Sequence, residues 1–305
     1  MVGKGAKNNL LIGCFLLPLL FGQQKTVALV GAKIFPVSAS PIERGILLIQ
    51  SGRIFSFGDS IQVPEDAEIF NCSGFSITPG FINVIPSKIG RESNFRWGIT
   101  TAVTERGNQI FLHEHLIGYS ISPESFSTPE VIKNVDSLLV FFRWKRWSDA
   151  ISTQLLTKIS DFTPVISYSI SDWTSNIQIP SNAWFCFSEN LFSRDDEFFE
   201  EINLPEHFRA EFGNVIISGK WAEKNPANIL RHARVLHRYG LSEDELLQYL
   251  CIQPAVLLGV DRRVGSIEAG KSADLVIFNG PPMSLRSQII AVYKNGKLQY
   301  EYENE

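Results

Sequence analysis

Cysteine is scarce in this chain: the 305 residues include four cysteines and no Cys-x-x-Cys pair. Cys14 lies in an apolar stretch near the start of the chain, which leaves Cys72, Cys186 and Cys251 for the folded part. The odd number argues against a disulfide framework, and the missing Cys-x-x-Cys pair argues against a zinc knuckle. We therefore expect three buried free thiols.

The sequence also lacks an excess of basic residues and two common catalytic motifs. Its 28 lysines and arginines are scattered and the net charge is −4, so the basic footprint of a nucleic-acid-binding protein is missing. There is no Gly-x-Ser-x-Gly elbow and no phosphate-cradling glycine loop, so neither kind of site is predicted. A hydrophobic content of 44% is enough for a core and excludes a disordered chain.

Residues 1–24 have the pattern of a signal peptide. Lys4 and Lys7 precede an apolar stretch at residues 10–21 that is too short to span a bilayer. We predict cleavage near residues 22–24 and export to the periplasm or the medium, with no transmembrane segment after the signal is removed. An uncleaved anchor is one alternative. A lipid anchor at Cys14 is not expected, because only three apolar residues precede its Gly13 neighbour.

Both ends of the mature chain have the pattern of β-structure. Ser51-Gly52 and Asn295-Gly296 each separate two apolar runs, as the tight turn of a hairpin does. The predicted strands lie at residues 26–30, 45–50, 53–57 and 68–72, and again at 273–278, 289–294 and 297–300. We predict that residues 25–78 and 262–305 form one small composite β-sandwich domain.

The middle of the chain, residues 79–261, alternates strands and helices. The predicted strands are 81–85, 99–105, 116–121, 137–142, 164–170, 183–188 and 214–218. Helices are predicted at 147–162, at 195–212, from Asn225-Pro226 to Gly240, and after a capping box of Ser242 with Glu245. This order predicts an α/β domain with a parallel sheet or barrel. A complete (β/α)8 barrel takes about 250 residues, so an abbreviated or distorted TIM-like barrel is expected.

Three segments carry a resemblance to a known family. They are Pro79-Gly80-Phe81-Ile82-Asn83, Trp97-Gly98-Ile99-Thr100-Thr101, and a block at 239–295 that includes Gln253-Pro254-Ala255 and Ala273-Asp274-Leu275-Val276. Together they resemble the amidohydrolase superfamily, in its imidazolonepropionase-like branch. The resemblance implies a hydrolase of non-peptide carbon–nitrogen bonds, whose histidine and aspartate ligands hold one or two divalent metals. The metals would generate hydroxide, and an aspartate after the last strand would accept its proton.

The positions that should hold those ligands carry other residues. By the resemblance, the first-strand aspartate falls on Asn83, and the His-x-His pair falls on Ile85 and Ser87. The final aspartate falls on Lys220, and the strands at 137–142, 164–170 and 183–188 contain no histidine. We therefore predict no catalytic residue, no metal ligand and no cofactor.

Two other sites deserve consideration as alternatives. His113-Glu114-His115 is a His-x-His motif, and in a strand both rings would share a face; with Glu105 or His207 they would make a relocated zinc site. Lys220 would bind an anionic ligand at the barrel mouth, pair with Glu223, or simply face solvent. His232 and His237, among arginines on one helix, indicate a solvated basic face.

Two aromatic clusters, at 141–147 and 184–187, suggest either an interface or a core filled with rings. The function we predict is that of a non-catalytic binding or partner subunit, which associates with a homologous amidohydrolase or with itself. The alternative is an active metal-dependent amidohydrolase with its site around His113 and His115. At this point the sequence leaves open whether the chain is an enzyme.

Overall fold

The computed structural model describes residues 25–85, 94–107, 109–121, 139–142, 163–168, 182, 184–187, 214–219 and 228–303. The predicted signal peptide, the predicted helices at 147–162 and 195–212, and Cys14, Ser87, His207, Lys220 and Glu223 lie outside the described residues. No helix in the described part is long and apolar enough to cross a bilayer.

Sixteen strands are described, and they form two sheets. In chain order they are β1 (Val27–Ile34), β2 (Ile42–Gln50), β3 (Arg53–Gly58), β4 (Glu68–Asn71), β5 (Ser76–Pro79), β6 (Phe81–Asn83), β7 (Ile99–Arg106), β8 (Gln109–Leu112), β9 (His115–Ile121), β10 (Leu139–Phe142), β11 (Thr163–Tyr168), β12 (Trp184–Phe187), β13 (Val215–Ile217), β14 (Leu275–Phe278), β15 (Ile289–Lys294) and β16 (Lys297–Glu301).

The first sheet joins the two ends of the chain. Its order is β16-β15-β14-β5-β1-β2-β3, and β4 pairs in parallel with the first half of β1. The junction is the antiparallel pair of β5 and β14, in which Ser76 lies opposite Phe278 and Pro79 opposite Leu275. The strands from both ends therefore share one sheet. Their arrangement as a sandwich, and the predicted domain boundaries, remain predictions.

The two predicted hairpin turns are present and touch each other. Ser51 and Gly52 have φ of 53° and 77°, and Asn295 and Gly296 have φ of 50° and 69°, so all four lie in the left-handed region that such turns require. A Cβ on Gly296 would lie 2.8 Å from the Gly52 Cα atom. Glycine at both positions is needed for the turns to pack backbone against backbone.

The second sheet has the order β6-β7-β8-β9-β10-β11-β12-β13. Each of the seven predicted strands of residues 79–261 is present, and these seven run parallel. The sequence did not predict β8, which lies antiparallel between β7 and β9. The chain turns back after Arg106 and again after Leu112, so a pair of hairpins occupies this connection. The fold is thus a mixed α/β fold, as expected.

The described helices follow the last strand of this sheet. They are α1 (Asn228–Arg238), α2 (Glu243–Leu247), a π-helical turn (Gln248–Ile252) and α3 (Gln253–Leu257). The predicted capping box at α2 is confirmed, because Ser242 Oγ accepts from the Glu245 N–H while the Glu245 carboxylate accepts from the Ser242 N–H at 2.9 Å. Pro254 lacks an N–H and crowds the preceding turn, which explains the wider π-helical turn before it.

The prediction of a solvated basic face on α1 was wrong in part. Arg231, His237 and Arg238 are exposed, but the His232 side chain is only 5% exposed. Arg234 is half-buried and donates to the carbonyl oxygens of Pro282, at 3.1 Å, and Ser287, at 2.7 Å. The helix therefore uses part of this face to bind the C-terminal loop.

One hydrophobic cluster connects the two sheets with the helices. Phe81 of β6 and Phe278 of β14 are fully buried and their ring centroids lie 6.2 Å apart. Around them pack the predicted apolar face of α1 and buried residues of α2 and the π-helical turn, namely Ile229, Leu230, Ala233, Leu236, Leu246, Leu247 and Leu250. This shared core fixes the first strand of the second sheet against the sheet formed by the chain ends.

Candidate functional site

Asn83 and Ile85, on which the resemblance places two of the first-strand metal ligands, lie where the two outer strands of the second sheet meet. Asn83 is the last residue of β6, and the buried Val84 and Ile85 follow it. Ser218 and Gly219 directly follow β13, at the other edge of the same sheet. The ends of the first and last strands of this sheet are therefore neighbours.

A closed set of hydrogen bonds joins these two strand ends. Ser218 Oγ donates to Asn83 Oδ1, and the Gly219 N–H donates to the same oxygen at 2.9 Å. Ser218 Oγ also accepts from the N–H groups of Val84 and Ile85, each at 3.1 Å. Asn83 Nδ2 donates to the Ile85 carbonyl oxygen at 2.9 Å. Both lone pairs of the Asn83 amide oxygen are thus in use.

The cluster is buried and carries no charge. Asn83 is 1% exposed, Ser218 0% and Ile85 1%. The Ile85 side chain belongs to an apolar cluster that includes Ile82, Val84 and Ile216. A buried polar cluster stabilises a fold when its polar atoms have hydrogen-bond partners, as they do here.

Cys186 of β12 adjoins this cluster. Burial raises the pKa of the Cys186 thiol far above its ordinary value, and a hydrogen bond with Ser218 opposes that rise only in part. The thiol is therefore protonated at neutral pH. A protonated, fully buried thiol is neither a nucleophile nor a metal ligand.

These residues do not fit the metal that the resemblance implies. Divalent metals in such sites are held by imidazole nitrogens and carboxylate oxygens. Here an amide oxygen and a hydroxyl are already engaged by donors, and the Ile85 side chain has no donor atom at all. We therefore derive no reaction step through a metal at this position. Ser87 and Lys220 lie outside the described residues.

The His113-Glu114-His115 motif does not lie within a strand, as the relocated zinc site would require. His113 and Glu114 form the turn between β8 and β9, and His113 has φ of 57°. The alternation that would put both rings on one face is lost at such a turn. Glu105 accepts from Ser120 Oγ at 2.8 Å, and Glu114 pairs with Arg106 at 3.2 Å. Among the described residues, no group of three or more His, Cys, Asp or Glu could hold a metal.

Sequence reasoning missed the role of Ser218. Ser218-Gly219 follow an apolar strand where a parallel sheet ends, but the sequence does not show which other strand end lies beside them. The family pattern instead put the final aspartate at Lys220, two residues further along the chain. Only the meeting of β6 and β13 makes Ser218 the partner of Asn83.

Comparisons with known proteins agree with this fold. Residues 212–299 match the model of the amidohydrolase family. The resemblance predicted from the sequence is thus confirmed for the C-terminal part of the chain. No curated protein matches the sequence.

Solved structures of amidohydrolases superpose on most of the chain. An amidohydrolase from Thermotoga maritima MSB8 is 16% identical, with a TM-score of 0.68, over 90% of this chain and 100% of that one. Molinate hydrolase is 13% identical, with a TM-score of 0.60, over 91% and 95%. N-acetylglucosamine-6-phosphate deacetylase from Pasteurella multocida is 14% identical, with a TM-score of 0.51, over 90% and 99%. At these identities the likeness shows the fold alone.

Proposed function

We propose that this amidohydrolase-fold protein is not a catalyst and acts by binding, as a partner subunit of a homologous amidohydrolase or of a second copy of itself. The observation that carries the proposal is the neutral cluster around Asn83 and Ser218. It occupies the place where the family pattern puts the first metal ligands, and the Asn83 oxygen and the Ser218 hydroxyl are already engaged in hydrogen bonds.

The hydrogen bonds of that cluster make its conversion into a metal site energetically costly. A ligand role for Asn83 would require the loss of the bonds from Ser218 and Gly219, which leaves buried polar groups without partners. Each such group costs about 1–3 kcal/mol. The apolar surroundings of Ile85 add a further cost for a divalent charge.

The same contact supports our finer proposal for the fold. Hydrogen bonds between the ends of β6 and β13 bring the two edges of the second sheet together, as closure of an abbreviated TIM-like barrel requires. We also propose export, which rests on the signal-peptide pattern of residues 1–24.

The test begins with the purified full chain, equilibrated with zinc, manganese or iron and then desalted. We expect well under one metal per chain, and no turnover of amide, lactam or amidine substrates. Stoichiometric metal together with turnover would overturn the proposal. In that event His113→Ala/His115→Ala decides the alternative: loss of both metal and activity would assign the site to these histidines.

The binding role has its own measurement. Sedimentation of the purified chain, alone and mixed with an intact amidohydrolase from the same source, should show a dimer or a mixed complex. A chain that stays monomeric in both samples would refute the partner role.

A further inference from the structure

A cavity of about 690 Å³ opens where three reverse turns meet, and residues of both sheets line it. The turns are Ser51-Gly52, Asn295-Gly296 and the β8–β9 turn at His113. None of the lining residues belongs to the Asn83–Ser218 cluster. The volume of the cavity lies within the range of about 300–1,000 Å³ that is usual for small-molecule sites.

The wall of this cavity is strongly basic. Its charged residues are all cations, and the described lining contains no carboxylate; they are Lys25, Arg53, Arg263, Lys294 and Lys297. The Lys25 ammonium is 3.4 Å from Glu68 and that of Lys294 is 2.5 Å from Asp274, so these two charges are compensated. Arg53, Arg263 and Lys297 have no carboxylate partner among the residues that the structure describes.

The three uncompensated cations are exposed. Arg53 Nη1 donates to the Gly270 carbonyl oxygen at 2.7 Å, which uses one of the five N–H donors of a guanidinium and holds the group in place. Like charges gathered on one concave wall raise the local potential and attract anions. Chain-wide the net charge is −4, so this positive wall is a local feature.

Hydrogen bonds within the protein fix the backbone around the cavity without any ligand. Asn295 donates its N–H to Asp274 Oδ1 at 2.8 Å, and Ser272 Oγ, which donates to the same carboxylate oxygen at 2.7 Å, lies 2.8 Å from the Asn295 side-chain amide. The Gly296 N–H donates to the Ala273 carbonyl oxygen at 2.9 Å. A site built on fixed turns loses little conformational entropy on binding.

The remaining wall offers an apolar surface beside the cations. It is formed by Val27, Ile49, Leu112, Val260 and Val264. A ligand that combines a multiply charged group with an organic portion matches both parts. Guanidinium and ammonium donors suit phosphate and carboxylate oxygens.

We propose that this cavity binds a small organic anion with two or more negative charges, of the phosphorylated or polycarboxylate class. The site is separate from the Asn83–Ser218 cluster and does not depend on the proposed lack of catalysis. The metal and turnover measurements therefore leave its test unaffected.

The experiment measures thermal unfolding of the full chain with inorganic pyrophosphate, with citrate and with sodium chloride, all at equal ionic strength. We expect a saturable rise in Tm with at least one of the two polyanions and none with chloride. A rise with pyrophosphate alone assigns phosphate chemistry, and a rise with citrate alone assigns carboxylate chemistry. No rise above that with chloride would overturn the proposal.

Two double variants locate the site. Arg263→Ala/Lys297→Ala should weaken polyanion binding about tenfold or more, because it removes two of the three uncompensated cations. The matched control, Arg44→Ala/Arg286→Ala, removes the same charge from exposed positions away from the cavity lining and should bind as the parent does. Equal weakening in both would mean nonspecific attraction and would refute the site. If the first variant unfolds, Lys297→Glu replaces it, with the same expected loss of binding.

Discussion

The Ser218 hydroxyl donates a hydrogen bond to the side-chain oxygen of Asn83, across 135 residues of sequence. This bond ties the last strand of the second sheet to its first. The junction is neutral and buried, and hydrogen bonds join the two strand ends.

Removal of the Ser218 hydroxyl should destabilise the protein strongly. In Ser218→Ala the N–H groups of Val84 and Ile85 lose their acceptor inside the core. Two buried donors without partners cost about 2–6 kcal/mol together. Urea unfolding followed by tryptophan fluorescence measures this loss, and Ser60→Ala, at an exposed position, is the control. A loss below that of the control would mean that the junction does not stabilise the fold.

The ion pair between Asp274 and Lys294 anchors the C-terminal hairpin. The Asp274 side chain is 2% exposed and that of Lys294 19%, and the carboxylate also accepts from Ser272 and Asn295. Asp274→Ala leaves the ammonium without its partner and should cost about 3–5 kcal/mol of unfolding free energy. Asp59→Ala, on the surface, should change little.

A double variant distinguishes the cost of leaving the Lys294 charge unpaired from the cost of losing the hydrogen bonds of Asp274. Asp274→Ala/Lys294→Met removes both charges and should recover part of the stability that Asp274→Ala loses. If the double variant were as unstable as the single one, the loss would come from the bonds of Asp274 to Ser272 and Asn295.

The three cysteines of the folded part should be inert in the native protein. Burial raises the pKa of Cys72, Cys186 and Cys251 above the ordinary range of a thiol. Reaction with a thiol reagent near pH 8 depends on the thiolate, so it should be far slower than that of glutathione under the same conditions. In denaturing urea all three should react at the rate of a free thiol. A cysteine that reacts rapidly in the native protein would show an opening of its cluster.

Local pattern predicted most of the described strands, but it missed β5 and β8. Apolar runs predicted the seven parallel strands, and the Ser51-Gly52 and Asn295-Gly296 pairs predicted both hairpins. The strand β8 was missed because Gln109–Leu112 is only four residues long, although Gly107-Asn108 before it is a two-residue turn signal. Whether such a short segment forms a strand depends more on the strands beside it than on its own residue types.

The environment of His232 could have been predicted and was not. It lies three residues after Ile229 and four before Leu236, both on the apolar face of α1, so helical periodicity places it on that face. Its arginine neighbours in the sequence suggested solvent instead. The Asn83–Ser218 contact and the basic cavity are different, because both arise when distant segments meet, and no local spacing encodes them.

The contact between the two hairpin turns yields a prediction about glycine. In Gly296→Ala the new Cβ would lie 2.8 Å from the Gly52 Cα atom, and backbone cannot move away as a flexible side chain can. Gly74 has a similar φ of 83°, but a Cβ there meets nothing within 4 Å. Gly74→Ala should therefore cost only the strain of a left-handed alanine, about 1–2 kcal/mol. Gly296→Ala should cost clearly more, and it should also weaken polyanion binding, because it moves the Asn295-Gly296 turn that lines the basic cavity. Equal losses in the two variants, measured by urea unfolding, would show that the turns have room to separate.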